Sequence, residues 1–543
     1  MHRLTAVLIG TVALVLAAGT ITSAPLSISI DFATQDPDLL IAGHAANEYL
    51  GADVVTGDLD GDDTDDLVIG APWASGSGGR DFAGHVHIFF GGEDRPASVS
   101  GEAADVTIIG AEARDSLGGG LTPQPGTIAV GDLNDDAFND LVLGAPDAQG
   151  GAGEVRVIFG RSRTSWAATP IMDLASLPAD VVVSGADAND GMGSTVAIGD
   201  INGDGLGDLI VGAPRADLPQ DGRTNMGKVY VFFGRDSWPE TLLADDSADF
   251  RVIGAQRRDF LGSGLAVGQL GGTDTLDVAI GAPGGAGGGV HVIYGSTSLA
   301  GSRDLSATPA DWIVHSADSV DNVGRQLRIG DVNGDGKPDL VIGVPRADGP
   351  ANRRGDSGEV AVLFGPKTSG TTSDLADGVD FVIYGPQGLT GQRPGGHLGD
   401  SIALGDFNDD GIMDVIAGSR LGDGFGDARP NTGEAYVIFG GDLPASLDLS
   451  AEDADIAIYG RSSGDSLSRV AAGNLDGVSS DDLALGAFRA DVADGDVLEK
   501  AGTVFVVYQQ PVEPPPTSTP TATPTAVTAP TSFAHLPLIM RGH

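Results

Sequence analysis

The chain has 543 residues, 41% of them hydrophobic, which is enough for a substantial core and sets aside a disordered protein. Its formal charge of -46, from 30 Lys plus Arg against 76 Asp plus Glu, repels a phosphate backbone or an anionic lipid surface, so nucleic acid is not an expected partner. The absence of cysteine excludes disulfides and zinc-thiolate sites and leaves turn chemistry, packing and hard cations to hold the fold.

Residues 1–24 read as an export signal: His2 and Arg3 precede an apolar run from Leu4 to Ala18, followed by small residues and a cleavage point after Gly19 or Ala24. The competing reading is an uncleaved anchor, because Leu4 to Ile21 is nearly long enough to span a bilayer. No later segment is apolar for that long, so the mature chain is expected to lack a transmembrane helix and to be secreted or associated with the cell wall.

After an N-terminal lead at 25–37, the chain repeats itself from 38 to 509. Acidic loops begin at Asp58, Asp132, Asp200, Asp331 and Asp406, with weaker copies at Gln269 and Asn474, in steps of 62 to 75 residues. A period of this size marks a stacked or circular repeat architecture, since each unit is too small to bury its own apolar face. Each unit carries four short strand-like runs; in the third they are "STVAIGD", "DLIVGAP", "GKVYVFFG" and "ADFRVIGA", punctuated by Gly, Asp and Pro. Seven such units predict an all-β fold, a seven-bladed β-propeller of four-stranded antiparallel blades. The last unit lacks a fourth strand, and "PDLLIAGHAANEYLG" at 37–51 resembles "ADVTIIGAEARDSLG" at 104–118. Leu39 to Ala42 is therefore expected to pair beside Thr503 to Tyr508 and close the ring. Residues 510–534 are Pro/Thr-rich and read as an extended stalk open to glycosylation, and 535–543 as a tail that is either a plain disordered end or a sorting address.

The acidic loops carry the chemistry. Positions 1, 3, 5 and 9 are Asp58, Asp60, Asp62 and Asp66; Asp132, Asn134, Asp136 and Asp140; Asp200, Asn202, Asp204 and Asp208; Asp331, Asn333, Asp335 and Asp339; Asp406, Asn408, Asp410 and Asp414. Clustered carboxylates repel, and a hard divalent ion taking six to eight oxygens at about 2.3 to 2.6 Å turns that repulsion into attraction. Calcium fits this oxygen-only donor set, with the carbonyl at position 7 (Thr64, Phe138, Leu206, Lys337, Ile412) as a further ligand. An EF-hand needs Glu at position 12 on an exiting helix, whereas Val211 stands there in the third copy, so the ligand set closes at position 9. Gln269, Gly271 and Thr273 remove three ligands from one copy, and Asn474 and Val478 spoil another, leaving five expected sites. The alternative is that short Asp/Asn turns merely cap backbone groups.

Leu/Phe-Gly before each loop, Asp-x-Asn-x-Asp-Gly-x-x-Asp within it and Gly-Ala-Pro after it resemble the FG-GAP repeats of the integrin α-subunit head. The first element stands at Leu50-Gly51, Leu117-Gly118, Met192-Gly193, Leu261-Gly262, Val323-Gly324 and Leu398-Gly399 and fails at Leu467-Ser468; the last stands at Gly70, Gly144, Gly212 and Gly281 and becomes Gly-Val-Pro at Gly343. The resemblance implies a calcium-binding, non-catalytic, monomeric adhesion or binding module. Its partner, an extracellular protein or glycan, would meet the face opposite the calcium loops. In a four-stranded meander that face receives the long second loops at 215–227, 346–358 and 420–433. The repeats also resemble the propeller of glycosylphosphatidylinositol-specific phospholipase D, so the rival reading is an extracellular hydrolase or lyase, phospholipase-D-type or polysaccharide-active, with a loop-built site. Against catalysis, the innermost strands read as small and aliphatic, with Arg328 as their one ionisable residue well inside. Arg354-Gly355-Asp356 reads as a loop accident, the carboxylates two residues before Leu-Gly (Glu48, Asp115, Asp190, Asp259, Asp321, Asp465) as turn caps, and the nine histidines as having no shared register.

Overall fold

The computed structural model describes residues 27–509 except 94, 121–125, 219–220, 286–287, 319, 390–393, 479 and 495; the export signal, stalk and tail lie outside the described residues. Seven sheets repeat one plan. In blade 3, Thr195–Gly199, Asp208–Ala213, Lys228–Phe232 and Phe250–Ile253 run antiparallel from the centre outward, in the four runs expected. The pattern of burial explains the pattern of sequence. Every second strand, such as Asp208–Ala213, is buried at all six positions because neighbouring blades cover both its faces, so it reads as a continuous apolar run. The fourth strands are covered less completely, and Phe250–Ile253 alternates between buried and half-buried.

Each sheet has five strands rather than the four expected. The connection between the third and fourth strands of one blade donates a short strand that pairs in parallel with the fourth strand of the preceding blade: Ile171–Asp173 on Val106–Ile109, Thr241–Leu243 on Val181–Ser184, and so on around the molecule. These segments, "GSRD" and "TTSD" among them, carry too little apolar alternation to read as strands. Their role is to occupy the outer edge of a sheet, where unpaired backbone groups would otherwise face solvent. The N-terminal lead contains one of them, Ile28–Asp31, which lies on Ile456–Tyr459 of blade 6.

Leu39–Ala42 pairs antiparallel with Thr503–Val507, Leu39 opposite Val506, as the sequence expects, and Ser98–Ser100 covers its far side. A recurring cap confirms that it belongs there. In six blades an aspartate just before the fourth strand accepts the N–H of an aromatic residue after the third, as Asp249 does from Phe233 at 2.9 Å. In blade 7 the same bond runs from Tyr508 to Asp38 across the two ends of the chain. The innermost strands pack each against the next, and that of blade 7 against that of blade 1.

The Leu-Gly and Gly-Ala-Pro elements meet at these junctions. A Cβ on Gly144 would lie 2.1 Å from the carbonyl oxygen of Gly193 in the next blade. Gly193 itself has φ +80°. The contact recurs in all seven blades, including blade 7 to blade 1, where Gly486 meets the carbonyl of Gly51 at 2.4 Å. Backbone packed on backbone sets the blade spacing, and any side chain there would force the blades apart.

Candidate metal loops and loop face

Each acidic loop joins the first and second strands of its blade, and its side chains fold inward onto backbone N–H groups. In blade 3, Asp200 Oδ1 accepts from Gly203 (2.6 Å) and Asp204 (3.1 Å) while its Oδ2 accepts from Gly205 (2.9 Å). Asn202 Oδ1 accepts from Asp204 (2.8 Å), and Asp204 Oδ1 from Leu206 (3.0 Å). The turn needs left-handed backbone at Gly203 and Gly205, with φ +77° and +93°, which glycine adopts without strain. Asp132, Asn134 and Asp136 of blade 2 make the corresponding bonds, as do Asp331, Asn333 and Asp335 of blade 5 and Asp406, Asn408 and Asp410 of blade 6. In blade 1 Asp58 and Asp62 do the same. The position 7 residues (Thr64, Phe138, Leu206, Lys337, Ile412) each give their N–H to the carboxylate at position 5.

Blade 1 tests whether these residues fit a cation. Carboxylate oxygens of Asp58, Asp60 and Asp66 lie within 4.8 Å of one another. The side chain of Asp60 is 0% exposed, and neither of its oxygens accepts a hydrogen bond. A buried carboxylate without donors is costly unless a cation faces it. Arg163 of the next blade supplies part of that charge, 3.5 Å from Asp60 and 3.2 Å from Asp62. The donor set remains one of hard oxygens, suited to a hard divalent ion.

The aspartate at position 9 does more than the sequence suggests. In every blade one oxygen accepts the N–H of the residue at position 2, and the other accepts an N–H just after the third strand. In blade 3 Asp208 binds Ile201 and Gly234, both at 2.9 Å. Asp277 and Asp482 keep these bonds in the two degenerate copies, one of which has lost positions 1, 3 and 5 and the other, which retains Asp476, the carboxylates of positions 1 and 5. Position 9 thus ties the loop to the blade whether or not a cation is held, and its survival in degenerate copies was the signal for it. Burial pushes these carboxyls up, Asp66 to about 8, Asp140 and Asp414 to about 7, and Asp208 and Asp339 to about 6, against the opposing pull of the N–H donors.

The opposite face carries the second loops and the blade-to-blade connections. Arginines pin the long loops: Arg223 binds Asp304 (2.6 Å) and the Gly254 carbonyl (2.8 Å), and Arg354 binds Asp448 (2.7 Å) and Ser450 (2.8 Å). Arg354-Gly355-Asp356 is therefore part of the loop's internal bracing. Glu48, Asp115, Asp259 and Asp465 are buried and accept N–H groups three or four residues back, which makes them turn caps.

Arg328 is not alone in the channel, contrary to the sequence reading. Asp53, the first residue of its strand, acts electrostatically on both Arg328 and Arg469, and Asp400 and Arg469 stand third in Leu398–Gly405 and Leu467–Gly473, ahead of the aliphatic runs that marked these strands in the sequence. Asp400 is 3.0 Å from Arg469 and 3.1 Å from Arg420, while Asp53 accepts the Thr127 hydroxyl at 2.9 Å. Among the described residues, depressions on this face include two larger ones. One, of about 320 Å³, lies at the channel mouth beside Arg215, Asn322 and Arg325. The other, of about 390 Å³, is lined by Gln387, Phe425, Asp427, Glu434, Tyr436 and Tyr459.

Seven blades, each with a hairpin built on a buried aspartate and five with a full set of Asp/Asn residues at positions 1, 3, 5 and 9, define a β-propeller with acidic loops on one face. The FG-GAP repeat model matches residues 50–89, 125–158, 192–232 and 323–363, which lie in blades 1, 2, 3 and 5 and each end in or at the close of the third strand. FG-GAP repeats thus stand in four of the seven blades of the propeller. It is 35% identical over 205 residues to a phosphatidylinositol-glycan-specific phospholipase D of Rattus norvegicus, covering 36% of this chain and 23% of that protein. It is 31% identical over 224 residues to integrin alpha-5 of Xenopus laevis (40% and 19%) and 29% identical over 312 residues to integrin alpha-7 of Mus musculus (57% and 21%). The chain thus spans less than a quarter of the length of each of these relatives.

Proposed function

We propose that the protein is a secreted or cell-surface binding module whose five complete acidic loops hold calcium and whose second-loop face meets an extracellular protein or glycan. Asp58, Asp60, Asp62 and Asp66 and their counterparts in blades 2, 3, 5 and 6 are the proposed ligands, with the position 7 carbonyl completing each set. The observation that carries the metal assignment is Asp60, a buried carboxylate that clusters with Asp58 and Asp66, accepts no close hydrogen bond and has only the Arg163 guanidinium at 3.5 Å as counter-charge. Support for a binding role is the separation of faces: short braced hairpins on one side, loops of unequal length on the other. Among the described residues no helix is long and apolar enough to cross a membrane.

The relatives named as phospholipase D keep a second reading in play, that of a hydrolase with a loop-built site. The depression around Glu434 favours it, since a carboxyl pushed up to about 7 by burial stands there beside Asp427 and the exposed ring of Phe425. A glycan and extracellular-protein array, run alongside a hydrolase panel, separates the two. Saturable capture that loop substitutions abolish supports the binding module. Turnover that Glu434→Gln abolishes overturns it.

A further inference from the structure

The residue two places beyond the second strand is an arginine in blades 3, 5 and 7: Arg215, Arg346 and Arg489. Arg325 stands just before the first strand of blade 5, Leu327–Gly330, on the same face. Elsewhere arginines are held by carboxylates, as Arg223 is by Asp304 and Arg429 by Asp31. Among the described residues the guanidinium groups of Arg215 and Arg325 make no hydrogen bond and no ion pair, although the chain has 76 acidic residues for 30 basic ones. Both groups line the depression of about 320 Å³ at the channel mouth, and so does Asn322, whose side-chain amide is likewise unbonded.

The wall of this depression comes from blades 2 to 5. Its hydroxyls are oriented from behind: Thr127 donates to Asp53 at 2.9 Å, Ser194 to the Gly191 carbonyl at 2.6 Å and Ser263 to the Phe260 carbonyl at 2.7 Å. Each proton is thus committed to the protein, and each oxygen keeps lone pairs for a donor in the cavity. The ring of Phe260 adds an apolar wall. Burial holds the Arg325 guanidinium below its ordinary range against the pull of Asp400, and the charge of Arg346 adds to the effect. An anion beside Arg325 would relieve that cost.

We propose that this depression binds a sugar acid, its carboxylate met by Arg215 and Arg325 and its hydroxyls by Asn322, Ser194 and Ser263. The inference rests on the reading of the second-loop face as the binding face and names the chemistry of what that face takes. A guanidinium fork matches a planar carboxylate through two parallel N–H···O bonds. It would match a phosphate or sulfate too, but the ring of hydroxyl acceptors and an amide that both donates and accepts suit a ligand rich in hydroxyls. The cavity stands at the lower end of small-ligand pockets, about 300 to 1,000 Å³, a size for a short saccharide. The net charge of -46 repels a long polyanion, so an isolated or terminal uronate is favoured over a densely sulfated chain.

The test is calorimetric titration of the full chain in millimolar calcium with two sugar acids, digalacturonate and a glucuronate-containing disaccharide, and with their methyl esters, neutral digalactose and inorganic phosphate. The wild type is expected to bind at least one of the acids about tenfold or more tightly than its ester, digalactose or phosphate, and less tightly as sodium chloride is raised. Arg215→Gln and Arg325→Gln should each weaken that binding about tenfold while melting as the wild type does, because neither guanidinium braces the fold. Equal binding of ester or digalactose would mean a site blind to charge, and equal binding of phosphate a plain anion site. Either result, unchanged affinity in both variants, or no binding of either acid overturns the proposal. If the acids fail while neutral glycans or proteins are still captured through the second loops, the binding-module reading stands and this inference alone falls.

Discussion

Asp200 and Asp277 occupy different positions in their loops and should fail differently when replaced. Asp277 lies in a degenerate copy, is fully buried, and accepts N–H groups from Leu270 and Gly295. Asp277→Ala is expected to cost about 2 to 4 kcal/mol in a urea melt and to leave calcium stoichiometry unchanged. Asp200→Asn keeps the oxygen that accepts from Gly203 and Asp204 but loses the acceptor for Gly205, and should lower stoichiometry by one ion while costing about 1 kcal/mol in the calcium-free melt. At the junctions, Gly144→Ala places a methyl 2.1 Å from the Gly193 carbonyl and is expected to cost about 3 kcal/mol or more by the same melt. Glu434 supplies a pH dependence. Its folded carboxyl titrates near 7 and its unfolded one near 4.5, so its contribution to stability is full below the lower value and is lost as pH rises through the higher. Glu434→Gln should therefore flatten the fall in melting temperature between pH 5 and 8; an unchanged slope would show that another group causes it. At this scale the sequence was informative about which residues build the loops, because spacing repeated five times is visible in one dimension, but among the described residues three carboxylates converge in blade 1 alone, with Asp58, Asp60 and Asp66. It was less informative about position 9, where a single aspartate serves both the loop and the segment after the third strand.

The strands whose apolar residues follow a regular pattern were legible, and those formed only by edge pairing were not. Each second strand announces itself because both faces are covered, while Thr371–Asp374 or Gly301–Asp304 contribute backbone and little else. Edge strands of this kind depend on the neighbour that they cover. Deleting residues 1–43 removes the strand on Ile456–Tyr459 and the fourth strand of blade 7 together, baring Thr503–Val507. The shortened protein is expected to lose its single cooperative thermal transition and to self-associate, as read by calorimetry and light scattering. A monomeric product with an unchanged transition would mean that the ring does not depend on these strands.

For the molecule as a whole, the number of blades, their order and the joining of the two ends were readable from period and from the match of 37–51 to 104–118. What binds the loop face was not, because loops of unequal length carry no repeating pattern to compare. Charge governs the energetics at this scale. With a net charge of -46 and carboxylates gathered on one face, the calcium-free propeller works against its own field. If each loop binds at about 0.1 mM and free calcium is about 2 mM, linkage gives roughly 1.8 kcal/mol per site, or about 9 kcal/mol for five independent sites. That sum rivals the stability of an entire domain.

The most direct measurement is calcium content by elemental analysis after dialysis of the full chain against millimolar calcium, paired with melts in calcium and in chelator. The expected result is about five calcium ions per chain and a large drop in melting temperature on chelation. A folded protein that retains no calcium and melts identically in both buffers would contradict the account.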